Sequence, residues 1–221
     1  MKITDLFNLE NSSHKELFSG IEYPWEIIAK LEVYIKNTLK KENKAKVFPT
    51  AFVGEEVELG EGTVVESGAV IFGPAIIGKN CTIKSGAYIR QNVILEDNVV
   101  VGHATELKNS FLMNGTAAAH FNYVGDSILG NNSHLAAGSI LANVKLPKKE
   151  IIVKSENETI PTGLQKFGAA LGDNAEVGCN AVLNPGSIVG KNSIIYPLCS
   201  WRGVLKESHI AKSDSSVVPR T

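Results

Sequence analysis

Counting in sixes from Val53 to Leu107, every stop is aliphatic: Leu59, Val65, Ile71, Ile77, Ile83, Ile89, Leu95 and Val101 lie between them. Neither common element explains this spacing. Side chains return to one side of an α-helix about every 3.6 residues, and to one side of a strand about every 2. A period of six is the hexapeptide signature of a parallel β-helix. Each hexad makes one flat face, and three hexads close one triangular coil. Every sixth side chain points inward and stacks on those of the coils above and below. Gly54, Gly60, Gly62, Gly78 and Gly102 supply small residues for the corners. Hydrophobic residues are 43% of the chain, too few to give ten aliphatic stops in a row by composition alone.

The repeat divides the chain. Residues 1–47 lie outside it. Pro24 sits where a first helical turn tolerates it, and Trp25, Ile28, Leu31, Ile35 and Leu39 follow at helical spacing. The spacing predicts a helix that caps the open end of the solenoid, as such folds require. Residues 48–202 form the solenoid. After Leu107 the register slips through Leu112, Ala118, Val124, Leu129, Leu135 and Ile140, where five-residue steps mark tighter faces or altered corners. Residues 144–165 carry no hexads and read as an excursion, rich in Lys, with a short hairpin around IIVK. A long loop inside a compact domain usually has a function. This one is expected to reach the site of a neighbouring subunit. Sixes return at Leu171, Val177, Leu183, Val189, Ile195 and Trp201, and residues 203–221 read as a tail without repeat.

Several partner classes are excluded. A net charge of −1 argues against a nucleic-acid surface. Cys81, Cys179 and Cys199 form no C-x-x-C pair, which fits reduced thiols in a cytoplasm. The first residues hold no apolar secretory core, and no run approaches the ~20 apolar residues of a membrane span. The phosphate-binding pattern G-x-x-x-x-G-K-[ST] is absent.

Unusual polar residues gather between Gly102 and Asn143. A coil of three hexads places residues about 18 apart side by side. Arg90, Lys108 and Asn109 therefore share an edge, with His120 and Tyr123 about one coil further on. Two neighbouring cations suit a phosphate, and an imidazole beside them suits proton transfer near neutral pH.

The motifs here are G-x-x-x-E-L-K-N-S, a step of twelve residues from Lys108 to His120, H-x-x-Y-x-G-D, and G-S-I followed by Asn143. This pattern resembles the acetyltransferase domain of the bifunctional glucosamine-1-phosphate acetyltransferase/uridyltransferases. The stretch Thr162–Asn174 and the loop before it resemble the archaeal sugar-1-phosphate nucleotidylyltransferases that carry the same domain. The resemblance covers roughly residues 50–200 and omits the uridyltransferase domain. It implies an all-β solenoid, a left-handed parallel β-helix, assembled as a homotrimer with sites between subunits. It also implies an N-acetyltransferase that uses acetyl-CoA as co-substrate, without a tightly bound cofactor or metal, on a hexosamine 1-phosphate. Glucosamine-1-phosphate is the first choice, and a separate nucleotidyltransferase would complete the route to a nucleotide sugar.

Residue by residue, the resemblance makes His120 the base. Arg90, Lys108 and Tyr123 hold the sugar phosphate, Asn143 lines the same site, and Lys149 is the loop lysine on the phosphate. The backbone N–H of Ala137 faces the thioester carbonyl. His134 stands where the family has Asn, and Asn143 precedes Val144 where Tyr is usual. CoA would run along the coils beyond His120, past Cys179 and Asn180, with Lys191, Arg202 and Lys206 available to its phosphates. Two rival readings accompany this one. His103, His120 and His134 could hold zinc at a subunit interface in a hydratase, or the chain could be a non-catalytic trimeric scaffold.

Overall fold

The computed structural model describes residues 1–155 and 158–220. Short strands recur once per hexad and stack into three sheets of ten, eight and eight strands, parallel except for the last strand of the first, as the flat sides of a left-handed triangular prism. The first face begins at Lys46–Val47, the second at Phe52–Val53 and the third at Val57–Leu59, and the chain visits them in that order in every coil. Inward side chains form unbroken columns. Leu59, Ile77, Leu95, Leu112, Leu129, Leu171, Val189 and Leu205 line the third face, all buried. Corner residues turn the chain through the left-handed backbone region, and Asn, the ordinary residue best suited to it, takes that role at Asn80, Asn98, Asn132, Asn174 and Asn192.

The five-residue steps at Leu112 and Leu129 shorten coils without breaking the columns, because Leu95, Leu112 and Leu129 still pair in register. The next inward residue is Leu141 rather than Ile140: Leu141 is fully buried and pairs with Leu183. The step from Leu135 is therefore an ordinary six.

Both solenoid boundaries move outward. Lys46–Val47 already pairs with Val64–Val65, and Asn43 bridges to Leu59. At the far end Val204–Leu205 and His209–Ala211 continue the sheets, and Val217–Pro219 turns back antiparallel on the last rung. The stretch 203–219 thus continues the coil and closes one sheet.

The N-terminal segment does not cap the end of the prism. It holds α1 (Ile3–Leu6), a short 3-10 turn (Lys15–Phe18) and α2 (Trp25–Thr38), and it lies along the third face. Leu6, Phe18, Trp25, Ile27, Leu31 and Ile35 pack on the outward side chains of that face, among them Ile76, Ile94, Phe111 and Ile128. Strands of the third face are apolar on both sides for this reason, as in any sheet covered on both faces. Polar ties fix the coat: Ser12 Oγ donates to the buried Glu96, the Asn8 N–H to Asp173 Oδ2 at 2.7 Å, and Asn131 Nδ2 to the Asn8 carbonyl at 2.9 Å.

The excursion leaves at Val144 and returns at Lys166, which bridge each other. It contains the hairpin Ile152–Lys154 with Thr159–Pro161. Ile151 and Val153 bury themselves beside Phe167 and Ile188. Lys154 lies in this hairpin, paired with Thr159, and is exposed. The segment around Leu146–Glu150 is exposed, with Leu146 at 86%.

Candidate active site

His120 ends the strand Ala117–His120 of the first face, directly opposite His103 on the rung below. The chain turns onto the second face at Phe121, whose backbone is left-handed. Phe121 stands edge-on to His103 at 5.4 Å and 6.5 Å from the His120 ring. The corner is set from beneath by Asn122: its Oδ1 accepts the His120 N–H at 3.1 Å, and its Nδ2 donates to the Ala136 carbonyl at 2.7 Å. The imidazole itself is exposed.

This corner climbs as a ladder. The Gly138 N–H donates to the His120 carbonyl, the Asn180 N–H to the Ala137 carbonyl and the Leu198 N–H to the Cys179 carbonyl. Ala137, Cys179 and Asn180 therefore lie on the edge above His120. Among the described residues none accepts from the Ala137 N–H.

The second face carries the cations. Glu106–Lys108 pairs with Tyr88–Ile89 below and Tyr123–Gly125 above. Arg90 and Lys108 share one column, about 4.8 Å apart by strand spacing. Both have carboxylate partners: Arg90 Nη1 lies 2.9 Å from Glu106 Oε1, and Lys108 Nζ lies 4.0 Å from Asp126 Oδ2. Tyr123 leans over Gly125, where a Cβ would come within 2.7 Å of its hydroxyl. Burial pushes the Tyr123 phenol up, and the nearby Glu106 and Asp126 carboxylates add to this. A hydrogen bond from Asn143 and the Arg90 charge act against it. The net result is a neutral phenol able to donate.

Other expected residues stand apart. His134 pairs with Ala117 and Glu176, at the opposite margin of the first face from His120. Arg202 follows Ser200–Trp201 and so lies on the Lys108 side of the second face, a strand's width from Cys179 and Asn180. Lys191 and Lys206 occupy the corner between the third and first faces. One track along one edge therefore does not collect all these cations. Lys149 is exposed in the excursion. Asn143 is buried at the corner between the second and third faces, and its amide donates to Asp126. The three histidines do not converge within the chain, since His103 and His120 share a corner and His134 does not.

Three residues outside the sequence reading complete the surroundings: Glu106 on Arg90, Gly125 beneath Tyr123, and Asp126. The letters E-L-K and Y-x-G-D contain all three, but spacing does not show which side of a turn a carboxylate faces. A groove of about 830 Å³ lies elsewhere, between the coat and the third face, lined by His14, Tyr34, Lys79 and Glu96 among others. It holds none of the motif residues.

The chain is similar to known proteins. A family described as the GMPPB C-terminal domain matches residues 71–160. The bifunctional sugar-1-phosphate nucleotidylyltransferase/acetyltransferase of Sulfurisphaera tokodaii is 32% identical over 89% of this chain and 51% of its own. The bifunctional protein GlmU of Methanococcus maripaludis is 32% identical over 99% of this chain and 53% of its own. The chain thus spans about half the length of these curated relatives. The Escherichia coli chain YaiX, whose name classes it as an uncharacterized acetyltransferase, is 33% identical over 74% of each chain. The solved UDP-N-acetylglucosamine acyltransferase of Campylobacter jejuni superposes with a TM-score of 0.56 at 19% identity, over 80% of this chain and 74% of that one. This last likeness concerns the fold.

Proposed function

The chain belongs to the hexapeptide-repeat acyltransferases of left-handed β-helix fold, and from that premise we propose that it moves an acetyl group from acetyl-CoA to the amine of a hexosamine 1-phosphate. Glucosamine-1-phosphate is the first acceptor to test. The observation that carries this reading is the pairing of an exposed imidazole with an unengaged backbone N–H one rung above it, at His120 and Ala137.

In this reading His120 takes a proton from the acceptor nitrogen as that nitrogen attacks the thioester carbonyl. General bases of this kind contribute about 10²–10⁴-fold. The carbonyl oxygen gains charge as the tetrahedral intermediate forms, and the Ala137 N–H lies where it can donate to it. Collapse expels the CoA thiolate and leaves the amide. Lys108 and Arg90 meet the acceptor phosphate, and the neutral Tyr123 hydroxyl donates to it.

The outward normals of two sides of a triangular prism diverge. His134 on the first face and Tyr123 on the second therefore cannot meet one ligand within a single chain. A second copy laid against the second face would bring its own first face, or its exposed Lys149, to the acceptor. This supports a homotrimer with shared sites. Fewer observations favour a three-histidine metal site, since its ligands would have to come from different copies.

The test is release of free thiol from acetyl-CoA in the presence of a panel of amino-sugar phosphates. Turnover with at least one is expected, and His120→Ala should lower kcat by about 10²–10⁴-fold with the KM for acetyl-CoA little changed. No turnover with any member of the panel defeats the assignment. Undiminished turnover by His120→Ala removes the base.

A further inference from the structure

The acceptor-binding side chains converge on a carboxylate that the proposed chemistry does not itself use. Asp126 follows Gly125 at the corner between the second and third faces, has a left-handed backbone and is 4% exposed. One of its oxygens, Oδ1, accepts from Asn109 Nδ2 at 2.8 Å. The other, Oδ2, accepts from the Asn143 amide and lies 4.0 Å from the Lys108 ammonium. The backbone of Asp126 is held as well: its N–H donates to the Lys108 carbonyl, and its carbonyl accepts from Gly168 where the excursion rejoins the coil.

The second step of the relay leaves Asn143. This amide nitrogen also lies beside the Tyr123 hydroxyl: both come within 2.8 Å of where a Cβ on Gly125 would sit, and Asn143 acts on the phenol in the sense of a donor. An amide nitrogen has two hydrogens, one for the carboxylate and one for the phenol. Turning the amide over would set its carbonyl oxygen against the Asp126 carboxylate, so the nitrogen stays on the Tyr123 side. The Asn143 carbonyl accepts from the Phe167 N–H, so the end of the excursion locks the same residue.

Resting on the reading of this surface as an acceptor site, we propose that Asp126 is a positioning residue: it fixes Lys108 directly, and Tyr123 through Asn143, for the phosphate of the acceptor. The 4.0 Å separation is too long for a hydrogen bond, so the ammonium keeps its hydrogens for an incoming anion while Coulomb attraction holds it in place. A nearly buried carboxylate with two amide donors and one cation is fully satisfied. An isosteric amide is not equivalent: it brings no charge to hold the Lys108 ammonium, and it keeps both contacts only if the Asn109 amide turns over.

The experiment compares wild type with Asp126→Asn, Asn143→Ala and the double variant, with KM for each substrate, kcat and the melting temperature measured for all four. Losing a hydrogen bond to a charged group predicts about a ten- to hundredfold rise in acceptor KM for Asp126→Asn, with the KM for acetyl-CoA within about twofold. The double variant should be little worse than the more affected single one, since both act on the same side chains. Equal rises in both KM values, a fall in kcat with both KM values unchanged, or strictly multiplicative effects overturn the proposal and leave Asp126 a structural residue. If Asp126→Asn does not fold, Asn109→Ala frees one carboxylate oxygen while keeping the charge. A raised acceptor KM then supports the relay, and an unchanged one overturns it. Wild type without turnover on any amino-sugar phosphate defeats the functional reading itself, and the relay with it. Turnover by wild type with an unaffected Asp126→Asn defeats the relay alone.

Discussion

At the scale of single residues, the glycines of the solenoid divide by what a methyl group would strike. At Gly102 an added Cβ would fall 1.4 Å from the Ala119 carbonyl oxygen, a rigid rung one coil away. At Gly125 the atoms in the way belong to the Tyr123 phenol and the Asn143 amide, at 2.7 and 2.8 Å; the half-buried phenol can swing aside, while the amide is tied to Asp126. Gly125→Ala should therefore leave the melting temperature within a few degrees of wild type and raise the acceptor KM several-fold, because the phenol is displaced. Gly102→Ala should lower the melting temperature instead. Thermal melts beside acceptor titrations of both proteins check the contrast, and an undiminished acceptor affinity in a well-folded Gly125→Ala would show that Tyr123 is not held by this contact.

Among elements, the coat on the third face has its own titrating group. His14 sits in the seam, with its Nδ1 3.0 Å from the Tyr34 hydroxyl and its ring edge-on to Phe111. Burial holds its imidazole down to about 4, while the Asp97 charge pulls the other way. Between about pH 6.5, where an unfolded His titrates, and about 4, the unfolded chain binds the extra proton. Stability from His14 is thus present above that window and lost as pH falls through it, by an amount on the order of 3 kcal/mol. Glu96, whose carboxyl burial raises, offsets part of this. Its folded form holds its proton to higher pH, so its own contribution falls as pH rises. His14→Gln should flatten the drop in melting temperature between pH 6.5 and 4, and an unaltered slope would place the acid-labile group elsewhere. The coat also shows what was legible in the sequence. Sixes announced the prism because inward columns are periodic, and the helix Trp25–Thr38 announced itself by its own period. Its docking place did not, since an amphipathic helix names no partner. The missed signal was the second apolar set on one face: Ile76, Ile94, Phe111 and Ile128 stand beside the inward column and face the coat. In the same way His120, Lys108 and Tyr123 were readable from a motif. Glu106, Asp126 and the separation of Arg202 from Cys179 depend on which side of a corner each residue takes, and period alone does not encode that.

For the whole molecule, the second face bears an exposed aromatic strip that runs up to the Arg90 rung. Phe52 meets Phe72 at 5.3 Å between ring centroids and Phe72 meets Tyr88 at 5.8 Å, with Phe72 51% exposed. Contiguous exposed apolar area of this kind marks an interface, and a neighbouring copy is the occupant that would also complete the divergent site. Light scattering at micromolar concentration should give three times the chain mass, and Phe72→Glu should dissociate the assembly and abolish turnover together. A wild-type monomer that is fully active would remove the shared site. The coat, finally, has a consequence in time. Asn8 is fastened to Asp173 across 165 residues of sequence. At about 5–20 residues per second of synthesis, roughly ten to thirty seconds separate the emergence of these two partners. The coils can stack as they are made, each on the one before. Leu6, Phe7, Phe18 and Trp25 are made before most of the wall they cover, so within these residues the segment made first is the one that finishes folding last.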